Sequence, residues 1–303
     1  MTNEQRYKNL AVPSGMVDAV LDTDAYNEID DQLAISYMIK SGDKINLKGI
    51  TAAPFFNRRC ASPKEGMEKS YNEIMTLLSL MGKKVEVYRG SEDYLADENT
   101  PRASEAAEYL ANLARSYTAE NPLYIVAIGA ITNVASAMLL NPDMKNTTVV
   151  VWLGGHAHHY HNNREFNLRQ DVAAARVVMK SGVPFVQLPC VGVVDNFRIS
   201  KPEMEYWLVG KNPLADYLVK GTVAEAESYA KGTAWTRVIW DVTAVAWLLN
   251  DSDRFMESRI IPTTLPSYDN LYTVDHNGYP MTYVYHINRD ALMTDLMKKL
   301  AEG

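Results

Sequence analysis

Six short, apolar-rich runs occupy the first two thirds of the sequence, and each is followed by a stretch of helical periodicity. The runs cover residues 16–21, 45–53, 85–88, 123–128, 147–153 and 184–188. The helical patterns fall at 30–40, 66–81, 104–117, 134–140, 172–180 and 201–219, the last broken near Asn212-Pro213. Short apolar runs bounded by turn residues predict strands buried on both faces. Strands alternating with helices predict βαβ units, hence an α/β fold with a mostly parallel sheet flanked by helices. In such sheets ligands bind beyond the carboxyl ends of the strands. No repeat, low-complexity stretch or Pro/Gly/Ser-rich linker divides the chain, so one domain over 1–303 is expected. Past Pro262 the sequence predicts turns, a hairpin around Asn277-Gly278 and a final helix over 290–300.

Charge and cysteine content narrow the function. There are 37 Asp+Glu against 30 Lys+Arg, a net charge of −7. That disfavours a nucleic-acid partner, which requires clustered positive charge. Two cysteines, Cys60 and Cys190, form neither a disulfide framework nor a metal spacing. No apolar run approaches the roughly 18 residues of a membrane span, and residues 1–13 lack the apolar core of a signal peptide. A soluble, cytoplasmic protein acting on a small molecule is expected.

The first apolar run ends in a dense acidic segment. Asp22, Asp24, Asp30 and Asp31 fall within ten residues, with Glu28 among them. Carboxylates this close repel unless a cation or protons compensate, and a hard divalent ion with oxygen ligands is the simplest compensation. An EF-hand is excluded, because its Gly and Glu positions hold Asn27 and Leu33. Two other readings remain open here: a solvated acidic turn capping the next helix, and an Asp-x-Asp phosphohydrolase using Mg²⁺ with Asp22 as nucleophile.

The stretch from Asp22 to Asp31 resembles the N-terminal signature of the inosine-uridine preferring nucleoside hydrolases, Asp-x-Asp-Pro-Gly-x-Asp-Asp. Here the Pro-Gly is absent, and two extra residues separate Asp24 from Asp30. Three later segments are similar to the same family in the same order. Ile128-Gly-Ala-Ile-Thr-Asn133 resembles its Gly-Pro-Leu-Thr-Asn turn. Leu153-Gly-Gly155 followed by Glu165-Phe-Asn167 resembles its Met-Gly-Gly…Glu-Phe-Asn, with about two residues fewer between them. Trp240-Asp241 opens an apolar helix where the family carries an Asp, and Trp240 occupies a place often held by His. The resemblance covers roughly residues 17–250.

That resemblance implies a Rossmann-like nucleoside-hydrolase fold and Ca²⁺-dependent cleavage of the N-glycosidic bond of ribonucleosides, with purine nucleosides favoured. It implies a calcium shell of Asp24, Asp31, the Ile128 carbonyl and Asp241. Asp24 would also be the base for the catalytic water, and Trp240 would activate the leaving base by stacking. Asp30, Asn57, Glu165 and Asn167 would bind ribose, with Asn162, Asn163 and His159 competing for a further contact. Asp22 would support the metal ligands from behind. A homodimer or homotetramer is implied as well. A non-catalytic nucleoside or ribose binder on the same fold stays open beside the phosphohydrolase. His156, His158, His159 and His161 read as solvent-facing or substrate-gating, or as the source of the proton for the leaving base. Cys190 reads as a small buried residue.

Overall fold

Each of the six apolar runs forms a strand of one sheet. The structure, a computed structural model, describes residues 1–274 and 278–302. Its strands in chain order are β1 (Val17–Thr23), β2 (Ile45–Ala52), β3 (Val87–Arg89), β4 (Leu123–Ala127), β5 (Thr148–Leu153), β6 (Phe185–Leu188), β7 (Arg198–Ser200), β8 (Thr236–Val238), β9 (Met256–Pro262), β10 (Thr264–Pro266), β11 (Tyr272–Val274) and β12 (Pro280–Ile287). The main sheet has the order β3-β2-β1-β4-β5-β6-β12-β9. Its pairings are parallel except the edge pair β12–β9, which is antiparallel.

Alternate strand residues enter different cores. Leu21 packs with Leu33 and Trp247 in one cluster, whereas Val20 packs with Ile125 and Phe185 in the other. Every residue of β4 and β5 is buried, which explains why these two strands read as unbroken apolar runs. Full burial of a Leu, Ile or Phe side chain stabilises by about 1.5–3 kcal/mol, so the two faces together fix which elements cover the sheet.

Caps decide where the helices begin. The helix expected from residue 66 starts earlier, at Pro63–Leu80, because the Ser62 side chain accepts from the Glu65 amide and Pro63 suits the first turn. The long pattern at 201–219 divides into Lys201–Leu208 and Pro213–Ala230, with Asn212 capping the second helix. The polar N-terminus also forms a short helix, Asn3–Asn9, capped by Thr2.

The C-terminal region differs most from expectation. Asn277 of the expected hairpin lies outside the described residues. The described turn lies at Ser267–Leu271, between β10 and β11, and Asn270 adopts a positive φ of 62° there. β12 then pairs with β6 and β9 and carries the main sheet outward. Among the described residues no helix is long and apolar enough to cross a membrane.

The strand order reverses direction at β1 and β4, whose connections leave toward opposite edges of the sheet. A crevice forms at such a reversal, beyond the strand ends. The register Asp22↔Ala127, Ala127↔Trp152 and Trp152↔Gln187 aligns the ends of four strands beneath it.

Candidate active site

β1 delivers its carboxylates directly into that crevice. Asp22 is still within the strand and fully buried; its Oδ1 accepts from Thr51 Oγ1 at 2.6 Å and Asn133 Nδ2 at 2.8 Å. Thr23 donates to Asp31 Oδ1 at 2.5 Å. Asp30 and Asp31 form the first turn of the helix Asp30–Ile39, and Asp241 precedes the helix Val242–Trp247. Carboxylate oxygens of Asp30, Asp31 and Asp241 all lie within 4.8 Å of one another, and all three residues are buried. Both oxygens of Asp24, and Asp30 Oδ1, are buried with no hydrogen-bond partner.

A glycine permits this crowding. A Cβ on Gly129 would stand 3.1 Å from Asp24 Oδ1 and 3.1 Å from Ala53 Cβ, so only glycine lets the turn after β4 close on the carboxylate without displacing it.

Burial pushes every carboxyl of the group upward. Asp24, Asp31 and Asp241 are held well above the usual carboxylate range, by desolvation first and by the charge of neighbouring carboxylates second, Asp30 among them in each case. Burial, reinforced by Glu28 and opposed by Arg237, pushes Asp30 up to about 7. Desolvation takes Asp22 to about 6 against the pull of Thr51 and Asn133. Several buried carboxylates with unpartnered oxygens and no sulfur or imidazole donor among them suit a hard divalent cation.

Asp30, Asp31 and Asp241 form the floor of a cavity. Asp24, Ile128, Glu165, Asn167 and Trp240 also line it. Trp240 is fixed by its backbone N–H, which donates to Asp30 Oδ2 at 3.1 Å. Asn167 Nδ2 donates to the Ile128 and Leu153 carbonyls at 3.1 and 3.0 Å, joining the ends of β4 and β5. Glu165 caps the helix Phe166–Gln170 and accepts from the Gly155, Asn167 and Leu168 amides. One expected substrate-binding residue does not reach the lining. Asn57 stands outside it and donates to Asn27 Oδ1 at 2.7 Å. Asp22 is sealed below it, which leaves a phosphohydrolase nucleophile at this position without access to substrate.

Asn27, Glu28, Arg164, Phe166 and Cys190 also line the wall without having been picked out as site residues. The histidines disperse. His156 lines the cavity, while His158 turns away to Gln187 Oε1 at 3.0 Å and packs on Tyr272 and Tyr283. His159 and His161 are exposed. None of the three candidates for the further ribose contact, Asn162, Asn163 and His159, lines the cavity. Burial raises the Cys190 thiol well above its ordinary value, as expected of a packing residue.

The wall over 156–164 is held from the far end of the chain. Tyr272 Oη donates to the His156 carbonyl at 3.2 Å and accepts from Gln187 Nε2 at 2.7 Å. The Asn163 amide donates to the Asn270 carbonyl at 2.8 Å. Gly155, at φ 76°, leaves space for the Tyr272 hydroxyl, which would lie 2.1 Å from a Cβ there.

Comparison with known proteins agrees with this geometry. The family model for the inosine-uridine preferring nucleoside hydrolases matches residues 19–278. The pyrimidine-specific ribonucleoside hydrolase RihA of Enterobacter sp. (strain 638) is 26% identical over 219 residues, 67% of this chain and 67% of that protein. The non-specific ribonucleoside hydrolase RihC of Salmonella newport (strain SL254) is 31% identical over 135 residues, 43% of this chain and 42% of that protein. Among solved structures, a plant nucleoside hydrolase, PpNRh1, superposes with a TM-score of 0.76 at 16% identity, covering 95% of this chain and 99% of its own. The purine-preferring ribonucleoside hydrolase from Gardnerella vaginalis gives 0.76 at 18% identity, covering 94% and 98%. At these identities the structures establish the fold, and the family match extends along most of the chain. This chain belongs to the inosine-uridine preferring nucleoside hydrolase family of N-glycosyl hydrolases.

Proposed function

We propose that this family member, acting as one catalytic domain over 1–303, hydrolyses ribonucleosides to free base and ribose in a calcium-dependent reaction that favours purines. One observation carries the reading: buried carboxylates, three of their oxygens unpartnered, converge on one wall of a cavity that also presents Trp240. Asp24, Asp31, Asp241 and the Ile128 carbonyl would hold Ca²⁺, an ion that accepts six to eight oxygen ligands in loose geometry. The bound ion supplies positive charge and lowers the pKa of water.

The chain's own residues perform the remaining work. Asp24 orients the attacking water and takes its proton, since both of its oxygens are free of protein donors. Asp30, Glu165 and Asn167 hold the ribose so that C1′ can flatten toward an oxocarbenium-like transition state. Asn57 contributes through Asn27, to which it is hydrogen bonded. Asp22 keeps the strand end in place from beneath. Trp240 stacks on the departing base, where an aromatic face favours a fused-ring purine over a pyrimidine. A cytoplasmic homodimer or homotetramer completes the proposal, and light scattering reads the assembly.

The test follows free base by chromatography from a panel of purine and pyrimidine ribonucleosides, with Ca²⁺ and with a chelator. Base release should be chelator-sensitive, restored by Ca²⁺ and abolished in Asp31→Ala. The purine-to-pyrimidine ratio should fall in Trp240→Ala. No release from any nucleoside in Ca²⁺ refutes the proposal.

A further inference from the structure

The segment between Asp24 and Asp30 departs from the family signature, and it is tied down with unusual thoroughness. Asn57 holds Asn27, and Arg59 Nη1 lies 3.5 Å from the Tyr26 carbonyl. Glu28 is held by Arg237 of β8, whose Nη2 lies 2.5 Å from Glu28 Oε2. The same Nη2 is 3.3 Å from Glu225 Oε1 and 3.8 Å from Asp30 Oδ1. Glu225 in turn meets Arg59 at 3.0 Å. Charges therefore alternate from Arg59 through Glu225 and Arg237 to Glu28, joining the turns after β1 and β2, the helix Pro213–Ala230 and β8.

Arg237 is 12% exposed and Glu28 41% exposed at their side chains, so the ladder is sealed at the arginine and open at the glutamate. Glu28 lines the cavity, and its charge acts on Asp24, Asp30 and Asp31. Among the described residues, no protein donor reaches Glu28 Oε1. Glu165 contrasts with it: its two oxygens already accept three backbone N–H groups, most of what a carboxylate can accept. Of the two glutamates in the wall, Glu28 has the greater acceptor capacity left for a ligand.

We infer that Glu28 is a substrate-binding carboxylate, accepting a hydrogen bond from a neutral donor on the nucleoside, and that Arg237 is its positioning residue. This inference rests on the nucleoside-hydrolase reading above and deepens it. The inserted loop thereby supplies a specificity contact that the signature motif lacks. A donor of this kind comes from a sugar hydroxyl or from an N–H of the base; Glu28 lies two residues from Asp30, and the sugar hydroxyl is the assignment made here. Arg237 aims Oε1 by occupying Oε2, which removes rotamer freedom before substrate arrives.

The experiment compares steady-state kinetics of the wild-type protein, Glu28→Ala and Glu28→Gln. The substrates are a parent ribonucleoside, its 2′-, 3′- and 5′-deoxy forms, and a base analogue lacking one N–H donor. Wild type should discriminate against one deoxy sugar. In Glu28→Ala that discrimination should shrink about tenfold or more, as expected for one charge-assisted hydrogen bond. KM for the parent should rise while kcat stays within about threefold. Glu28→Gln, which retains an acceptor oxygen, should recover part of the loss. Arg237→Met should reproduce the Glu28→Ala pattern and Arg237→Lys should soften it. Unchanged ratios in Glu28→Ala overturn the inference, as does an equal loss on all substrates. Discrimination that moves with the base analogue overturns the sugar assignment. A wild-type protein inert toward every riboside overturns the proposed function together with this inference, whereas an active wild type with unchanged ratios overturns this inference alone.

Discussion

Replacing Asp22 by Asn should make stability less dependent on pH. Asp22 is fully buried beneath the cavity, and desolvation lifts its carboxyl from the ordinary 3.8 to about 6. The folded state therefore binds the proton more tightly than the unfolded chain. The stability this gives is fully present below pH 3.8 and is lost as pH rises through about 6. At 1.36 kcal/mol per pH unit the loss amounts to about 3 kcal/mol. Asp22→Asn keeps an oxygen for Thr51 Oγ1 and Asn133 Nδ2 and has no proton to release. Urea unfolding of both proteins at pH 4, 5, 6, 7 and 8, in chelator to remove bound cations, isolates the effect. The variant should gain on wild type by about 2.5 kcal/mol between pH 4 and pH 8, because a little of the effect is already lost at pH 4, whatever its stability there. A constant difference, or one that moves toward wild type as pH rises, would refute the reasoning. The same variant should lose activity about 10- to 100-fold, as expected when a residue supporting metal ligands is altered.

Two further substitutions probe the frame of the site. Gly129→Ala places a Cβ 3.1 Å from Asp24 Oδ1; kcat should fall about tenfold or more, because small displacements of a catalytic group are costly, while the melting temperature stays near wild type. Glu165→Ala strands the buried Gly155, Asn167 and Leu168 amides; at about 1–3 kcal/mol per orphaned group, thermal melts should show a loss of several degrees, and Glu165→Gln should recover part of it.

What the sequence made legible is what local chemistry encodes. The run ending in Asp22-Thr23-Asp24 reads as a buried strand delivering acids, and it forms one. Asp30-Asp31 and Trp240-Asp241 stand at helix starts where carboxylates are favoured. The structure brings Asp24, Asp31 and Asp241 into one cavity although more than 200 residues lie between the first and the last. The C-terminal strands were less legible because their pairing is non-local. β9 is an exposed edge strand with only Met256 buried, so it carries no apolar run, and β12 finds its parallel partner nearly a hundred residues earlier. Asn57 was named by the family resemblance, and here its side chain donates to Asn27 Oδ1 outside the cavity lining. His156, Arg164 and Phe166 reach the wall through a loop whose path is set by Tyr272 and Asn270. Within the loop the His156 amide donates to Asn163 Oδ1 at 2.7 Å, but the further anchors Tyr272 and Asn270 lie more than 100 residues away in the chain.

The dependence of the 156–164 wall on Tyr272 and Asn270 has a kinetic meaning. During synthesis a contact cannot form before the later of its two partners has been made. β1, β2 and β4 can pair and place Asp24, Asp30 and Asp31 at the strand ends as soon as residue 127 has been made, and Asp241 joins them later. The wall above them cannot set until the turn at Ser267–Leu271 has docked. During synthesis the chain therefore carries its first acids, open to water, while about 140 further residues are made. The enclosed pocket is among the last parts of the molecule to come into being.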